Sequence, residues 1–121
     1  MAMTEYQEKI VQVLEAAAFV EAGAHCKGRF ARTVDGFETS TTSKSAASFC
    51  AVGALREAAR TLKISPTAVE MAQIALRKTV CKTVVTFNDS PDTTGNLVAE
   101  KMLEAAELVK RGELTCLEST W

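Results

Sequence analysis

Neither sign of charge prevails in this sequence: 14 lysines and arginines stand against 15 aspartates and glutamates, for a net charge of −1. A general nucleic-acid binder needs a basic excess to neutralise phosphates, so that class is excluded. No apolar run approaches the roughly 20 residues of a transmembrane helix, which excludes a membrane span. Met1-Ala2-Met3-Thr4-Glu5 lacks the basic stretch and apolar core of a secretory signal, so the expected location is the cytoplasm. Histidine is limited to His25. No two of the four cysteines, Cys26, Cys50, Cys81 and Cys116, have the close spacing of structural zinc sites, so neither a metal nor another cofactor is expected. In a reducing compartment all four are expected as thiols, behaving as small buried hydrophobes.

What is present is an ordinary globular composition, 47% hydrophobic and 24% charged over 121 residues. That suits one domain, residues 1–121, able to bury about two-thirds of its unfolded surface without metal or disulfide staples. Thr4-Glu5-Tyr6-Gln7 has the form of a capping box, and Ile10, Val13, Leu14, Ala17 and Ala18 follow at helical spacing. Glu21 interrupts that apolar stripe, and Gly23 marks a stop. Asp35-Gly36 is a hairpin signal between Phe30–Val34 and Phe37–Thr41. A second helix is expected from Ser43–Ser45 to Lys63, with Gly53 inside it at a cost of about 1 kcal/mol against Ala unless another element approaches closely. Ser65-Pro66 starts a third helix, running to Lys78. Thr79–Phe87 reads as a helix extension or a short strand, and propensity favours the strand. Asn88–Asp92 is a turn signal, and a last helix runs from Thr94 to Lys110, ended by Gly112.

The residues able to carry chemistry gather around two loops. Lys27, Arg29 and Arg32 form a basic cluster that could grip a phosphate or carboxylate, although no Gly-rich phosphate motif accompanies it. The plainer reading is local ion pairing with Asp35 or Glu38. Cys50 is the best candidate nucleophile, with His25 as the one available imidazole base and Asn88 or Asp89 to orient it. Placed inside a helix among apolar residues, however, Cys50 would be inert core. Cys26, beside His25 and Lys27 in a loop expected to be exposed, is the rival thiol. The segment from Asn88 to Thr94 does not match a calcium loop and reads as turn and cap, but it could reach back to the basic loop and form one surface with it.

Three segments in this order, Cys26-Lys27-Gly28-Arg29-Phe30-Ala31-Arg32 with Asp35-Gly36, Phe49-Cys50-Ala51-Val52-Gly53-Ala54-Leu55, and Asn88-Asp89-Ser90-Pro91-Asp92-Thr93, resemble a family of small, uncharacterised bacterial and bacteriophage proteins carrying a domain of unknown function. Members often have Gly-Arg-Thr after the proline, where this chain has Asp92-Thr93-Thr94. The resemblance implies a bacterial or bacteriophage setting and no particular activity.

The expected fold is mainly α, with about four helices in one compact domain and a small β-hairpin between helices 1 and 2. The expected function is that of a non-catalytic interaction or regulatory module, a phage or mobile-element accessory protein acting on a host macromolecule. Its partner is expected to be a protein, homo-oligomerisation is compatible, and the recognition face comprises Lys27, Arg29, Arg32, Asn88 and Asp89. Two alternatives stand beside it. One is a thiol-dependent hydrolase or acyltransferase using Cys50, His25 and Asn88. The other is a binder of a small anionic metabolite or nucleotide through the basic loop.

Overall fold

The computed structural model describes residues 3–112; the cysteine at 116 and the tryptophan at 121 lie outside them. Among the described residues the chain forms a mainly helical domain. Helix α1 (Glu5–Gly23) is followed by three two-residue strands, β1 (Ala31–Arg32), β2 (Glu38–Thr39) and β3 (Ser48–Phe49). Then come α2 (Ala51–Leu62), α3 (Pro66–Val80), the six-residue α4 (Val84–Asp89) and α5 (Gly95–Lys110).

The helices begin where local chemistry supplies partners for their first amides. Thr4 and Gln7 form the reciprocal capping box on α1. Thr94 caps α5, and Pro66 opens α3. Helix α1 lies chiefly against α5, then against α2 and α3. Ala17 and Ala18 of α1 and Ala99, Ala105 and Ala106 of α5 belong to one buried cluster, in which Leu14, Leu55, Leu76 and Met102 are the largest fully buried apolar side chains. Small residues let helix axes come close, and the larger ones fill the space between them.

The hairpin around Asp35-Gly36 forms as expected, with Ala31 opposite Thr39 and Arg32 opposite Glu38. It gains a third strand: the sheet order is β2-β1-β3, all antiparallel. This corrects the expected start of the second helix at Ser43–Ser45. Within residues 40–45, Ser40 Oγ accepts from the Thr42 amide and Ser43 Oγ from the Ser45 amide, turn bonds that compete with helix formation. Ser48 and Phe49 then pair with β1, and α2 starts only at Ala51, with Cys50 as its N-cap. The strand favoured for Thr79–Phe87 is also absent. Helix α3 runs to Val80, Cys81 ends it in a left-handed conformation (φ 61°), and Thr83 caps α4. Threonine supports both ends here, Thr79 Oγ1 donating back to the Ala75 carbonyl at 2.8 Å and Thr83 Oγ1 accepting from the Thr86 amide at 3.2 Å. Asn88 and Asp89 consequently sit in the last turn of α4, not in the turn that follows it.

Gly53 shows why the first turn of α2 lacks a side chain. A Cβ there would lie 2.1 Å from the Phe30 carbonyl oxygen, so the hairpin rests directly on the helix backbone. Replacing Gly53 with Ala gains about 1 kcal/mol of helix propensity, but overpacking against a backbone atom costs about 1–3 kcal/mol or more. Gly53→Ala is therefore expected to lower the urea midpoint. Gly23→Ala, where nothing lies within 4 Å, is expected to leave it unchanged or raise it.

Candidate functional site

Cys50 stands at the tip of α2, not inside it as the sequence pattern suggested. Its sulfur accepts from the Gly53 amide at 3.3 Å, taking the place of the usual Ser or Asp cap. Only 8% of the residue is exposed, but it lines an open cavity of about 250 Å³ with Arg29, Phe30, Val85, Asn88 and Asp89. Burial pushes the Cys50 thiol above its ordinary range, and the Gly53 and Val52 amides only partly offset this. Cys26 is buried as well, correcting its expected exposure, and burial likewise raises its thiol.

Asn88, 2% exposed, joins the two loops. Its Oδ1 accepts from the Ala51 amide at 2.9 Å, while Nδ2 donates to the Cys26 carbonyl at 3.1 Å and to Asp89 Oδ1 at 2.9 Å. The Asp89 oxygen also accepts from the Gly28 amide at 3.0 Å. The Asn88 amide holds the Asp89 carboxyl below its ordinary range, with help from Gly28 and from the positive charge of Lys27, while partial burial works the other way. The basic cluster is largely occupied. Lys27 Nζ donates to the Ser90 carbonyl, and Arg32 donates to the Lys27 carbonyl through both Nε and Nη2 (3.2 and 2.9 Å) and to the Gly36 carbonyl through Nη1 (2.9 Å). Arg29 faces the cavity, paired with Glu38 at 3.2 Å.

His25 makes no hydrogen bond to the Cys50 thiol. Its Nδ1 meets Glu21 Oε2 at 3.2 Å, and Nε2 is buried without a hydrogen-bond partner, so neither ring nitrogen is bonded to the Cys50 sulfur. Glu21, which interrupts the apolar stripe of α1, is buried at 1% exposure, and its Oε1 also lacks a partner. Burial raises the Glu21 carboxyl above 4.5, opposed by its bond to His25 and by the histidine's charge. The structure thus gathers Cys50, Asn88, Asp89 and Arg29 around one cavity and leaves His25, Lys27 and Arg32 out of its lining.

A family model matches residues 5–108, from the first turn of α1 into the last turns of α5. The chain belongs to DUF6197, a family of unknown function. No curated protein and no solved structure matches it. The matched stretch of this DUF6197 chain contains the whole sheet, Cys50, Asn88 and the cavity.

Sequence reasoning missed the apolar part of this surface. Val34 is 87% exposed and Phe37 71% exposed at the hairpin tip, and Phe30 and Val85 are also exposed beside the cavity. A signal was available: Phe30, Val34 and Phe37 lie in a hairpin too small to bury them all.

Two outcomes test this description. Replacing Asn88 with Ala strands the Cys26 carbonyl and the Ala51 amide, and unfolding free energy is expected to fall by about 2–4 kcal/mol in urea titrations. Glu21 has a raised folded-state pKa, so its favourable contribution is complete below pH 4.5 and is lost as pH rises through the folded value. Relative to Glu21→Gln, the wild type is therefore expected to lose stability steadily as pH is raised above 4.5, as read by thermal unfolding of both proteins across pH 4–8.

Proposed function

We propose that this chain is a non-catalytic recognition module that binds an extended segment of a partner protein along the open edge of β2. The observation that carries this reading is the pair of exposed apolar residues on the cavity wall, Phe30 and Val85, with Val34 and Phe37 also exposed in the hairpin that Phe30 leads into. Contiguous exposed apolar groups in a soluble domain mark interaction sites. The sheet supplies a second reason. The outer side of β3 is closed by residues 24–26, since Phe49 donates to the Ala24 carbonyl at 2.7 Å and accepts from the Cys26 amide at 3.0 Å. Strand β2 is the other edge. Thr33 donates to the Phe37 carbonyl at 2.8 Å, which makes Arg32 and Glu38 the non-bonded pair of the ladder and turns the Glu38 backbone outward. A second hollow, lined by Phe30, Glu38, Thr39 and Arg56, continues the groove along β2. An added strand would gain backbone bonds from the edge and place an apolar side chain between Phe30 and Val85.

The bacterial or bacteriophage setting, the cytoplasmic location and a role on a host macromolecule belong to the same proposal and rest on the motif resemblance. The thiol-enzyme reading has less support because the imidazole does not reach the sulfur and burial keeps the thiol protonated. The anion-binding reading has less support because Lys27 and Arg32 donate to backbone carbonyls.

A display library of random peptides panned on the immobilised protein is expected to enrich sequences with one apolar anchor. Val85→Asp, which puts charge in the cavity wall, and Glu38→Pro, which removes the outward amide, are each expected to weaken a selected peptide about tenfold or more, roughly 1.4 kcal/mol, without changing the melting temperature. Failure to enrich, or equal affinity for both variants, overturns the proposal.

A further inference from the structure

Residue 25 pairs with residue 49 in an isolated parallel bridge, and the Cys26 amide donates to the Phe49 carbonyl at 3.0 Å, which sets Cys26 against the residue that precedes Cys50. Neighbouring extended segments lie about 4.8 Å apart, within the Cα separations of roughly 4.4–6.8 Å across which disulfides form. Two further contacts fix this juxtaposition. The Asn88 carboxamide spans from the Cys26 carbonyl to the amide of Ala51, the residue after Cys50. The Cys26 thiol donates to the carbonyl of Arg29 at 3.6 Å, and Arg29 lines the cavity together with Cys50. Both thiols are free, both are buried, and of the two only Cys50 lines the open cavity.

We propose that Cys26 and Cys50 are a dithiol redox site, oxidised to an intramolecular disulfide by a small-molecule disulfide entering the cavity. The Cys50 sulfur gives up its proton and attacks one sulfur of the reagent. The reagent S–S bond breaks, and its departing thiolate takes up that proton. Cys26 then attacks the Cys50 sulfur of the mixed disulfide, losing its own proton to the second reagent thiol as that leaves. The protein dithiol is oxidised by two electrons, and one reagent disulfide becomes two thiols. Burial sets the pace: with both thiols raised, the reaction quickens as pH rises from 7 to 9.

The test uses the full chain with Cys81→Ser and Cys116→Ser, leaving Cys26 and Cys50, treated with oxidised glutathione under native conditions. Intact-mass spectrometry is expected to show the loss of two hydrogens with no glutathione retained, and peptide mapping to show Cys26 joined to Cys50. Dithiothreitol is expected to reverse the change. The disulfide form is expected to melt several degrees higher, because it cross-links the unfolded chain. Adding Cys26→Ser to this background is expected to stop the reaction at a stable mixed disulfide on Cys50. A stable glutathione adduct in the two-cysteine protein, or a disulfide that forms only in urea, overturns the proposal. Because the two-cysteine protein keeps both thiols, its folding does not depend on the further variant.

Discussion

The Asn88 carboxamide is the constraint on which the cavity-bearing half of this molecule depends. A helix start leaves amides without intrahelical partners, and a chain crossing beside it leaves carbonyls unpaired. One buried side chain meets both needs, accepting from Ala51 at the start of α2 and donating to Cys26 in the preceding loop. Aspartate at this position would lack the donor, and leucine would lack both functions. Because Asn88 lies in α4 beside Asp89, which takes the Gly28 amide, three separate segments are joined at one point: α4, the start of α2 and the loop that holds Cys26 and Gly28. The cavity is the space left beside that junction, so its shape is set by hydrogen bonds and not by close packing alone.

Two glycines extend the same logic to the helices. Gly53 lets the Phe30 carbonyl rest on α2, which fixes one wall of the cavity. Gly95 does the corresponding work at the start of α5, where a Cβ would lie 2.3 Å from the Glu21 carbonyl and 2.8 Å from the His25 Cβ. The buried Glu21–His25 pair sits under that contact. Its place in the fold explains why an acid can interrupt an apolar stripe: the carboxyl is directed at a histidine one turn away, where the bond to the ring offsets part of its desolvation.

Where the sequence and the fold agree, local chemistry decides the structure. The Thr4–Gln7 box, the Ser65-Pro66 start and the Asp35-Gly36 turn each need only neighbouring residues, and each forms where expected. Where they differ, a distant partner decides. Ala46, Phe49 and Cys50 have helical spacing, yet Phe49 is held extended by β1 and by the Ala24 carbonyl, contacts invisible to periodicity. The Val- and Thr-rich stretch from 79 to 87 has strand propensity, but no strand pairs with it, so threonine caps prevail. Cys50 and Asn88 do line one cavity, but the Asn88 carboxamide bonds backbone groups and the imidazole faces Glu21.

The basic loop shows how clustered charge can serve the chain's own backbone. An irregular segment has carbonyls that no ladder or helix satisfies, and cationic side chains are the nearest strong donors. Arg32 takes two such carbonyls and Lys27 a third, so charges that look available to a ligand are structural. Hydrophobic side chains have no such local use. When a two-residue strand pair cannot bury Val34 and Phe37, folding leaves them outside, and only a second surface can cover them. The exposed apolar residues are therefore the part of this surface that the fold itself leaves unused. The cavity lined by Phe30 and Val85 also has Arg29 and Asp89 on its wall, so under the proposed reading it would add the few directional contacts that nonspecific apolar association lacks.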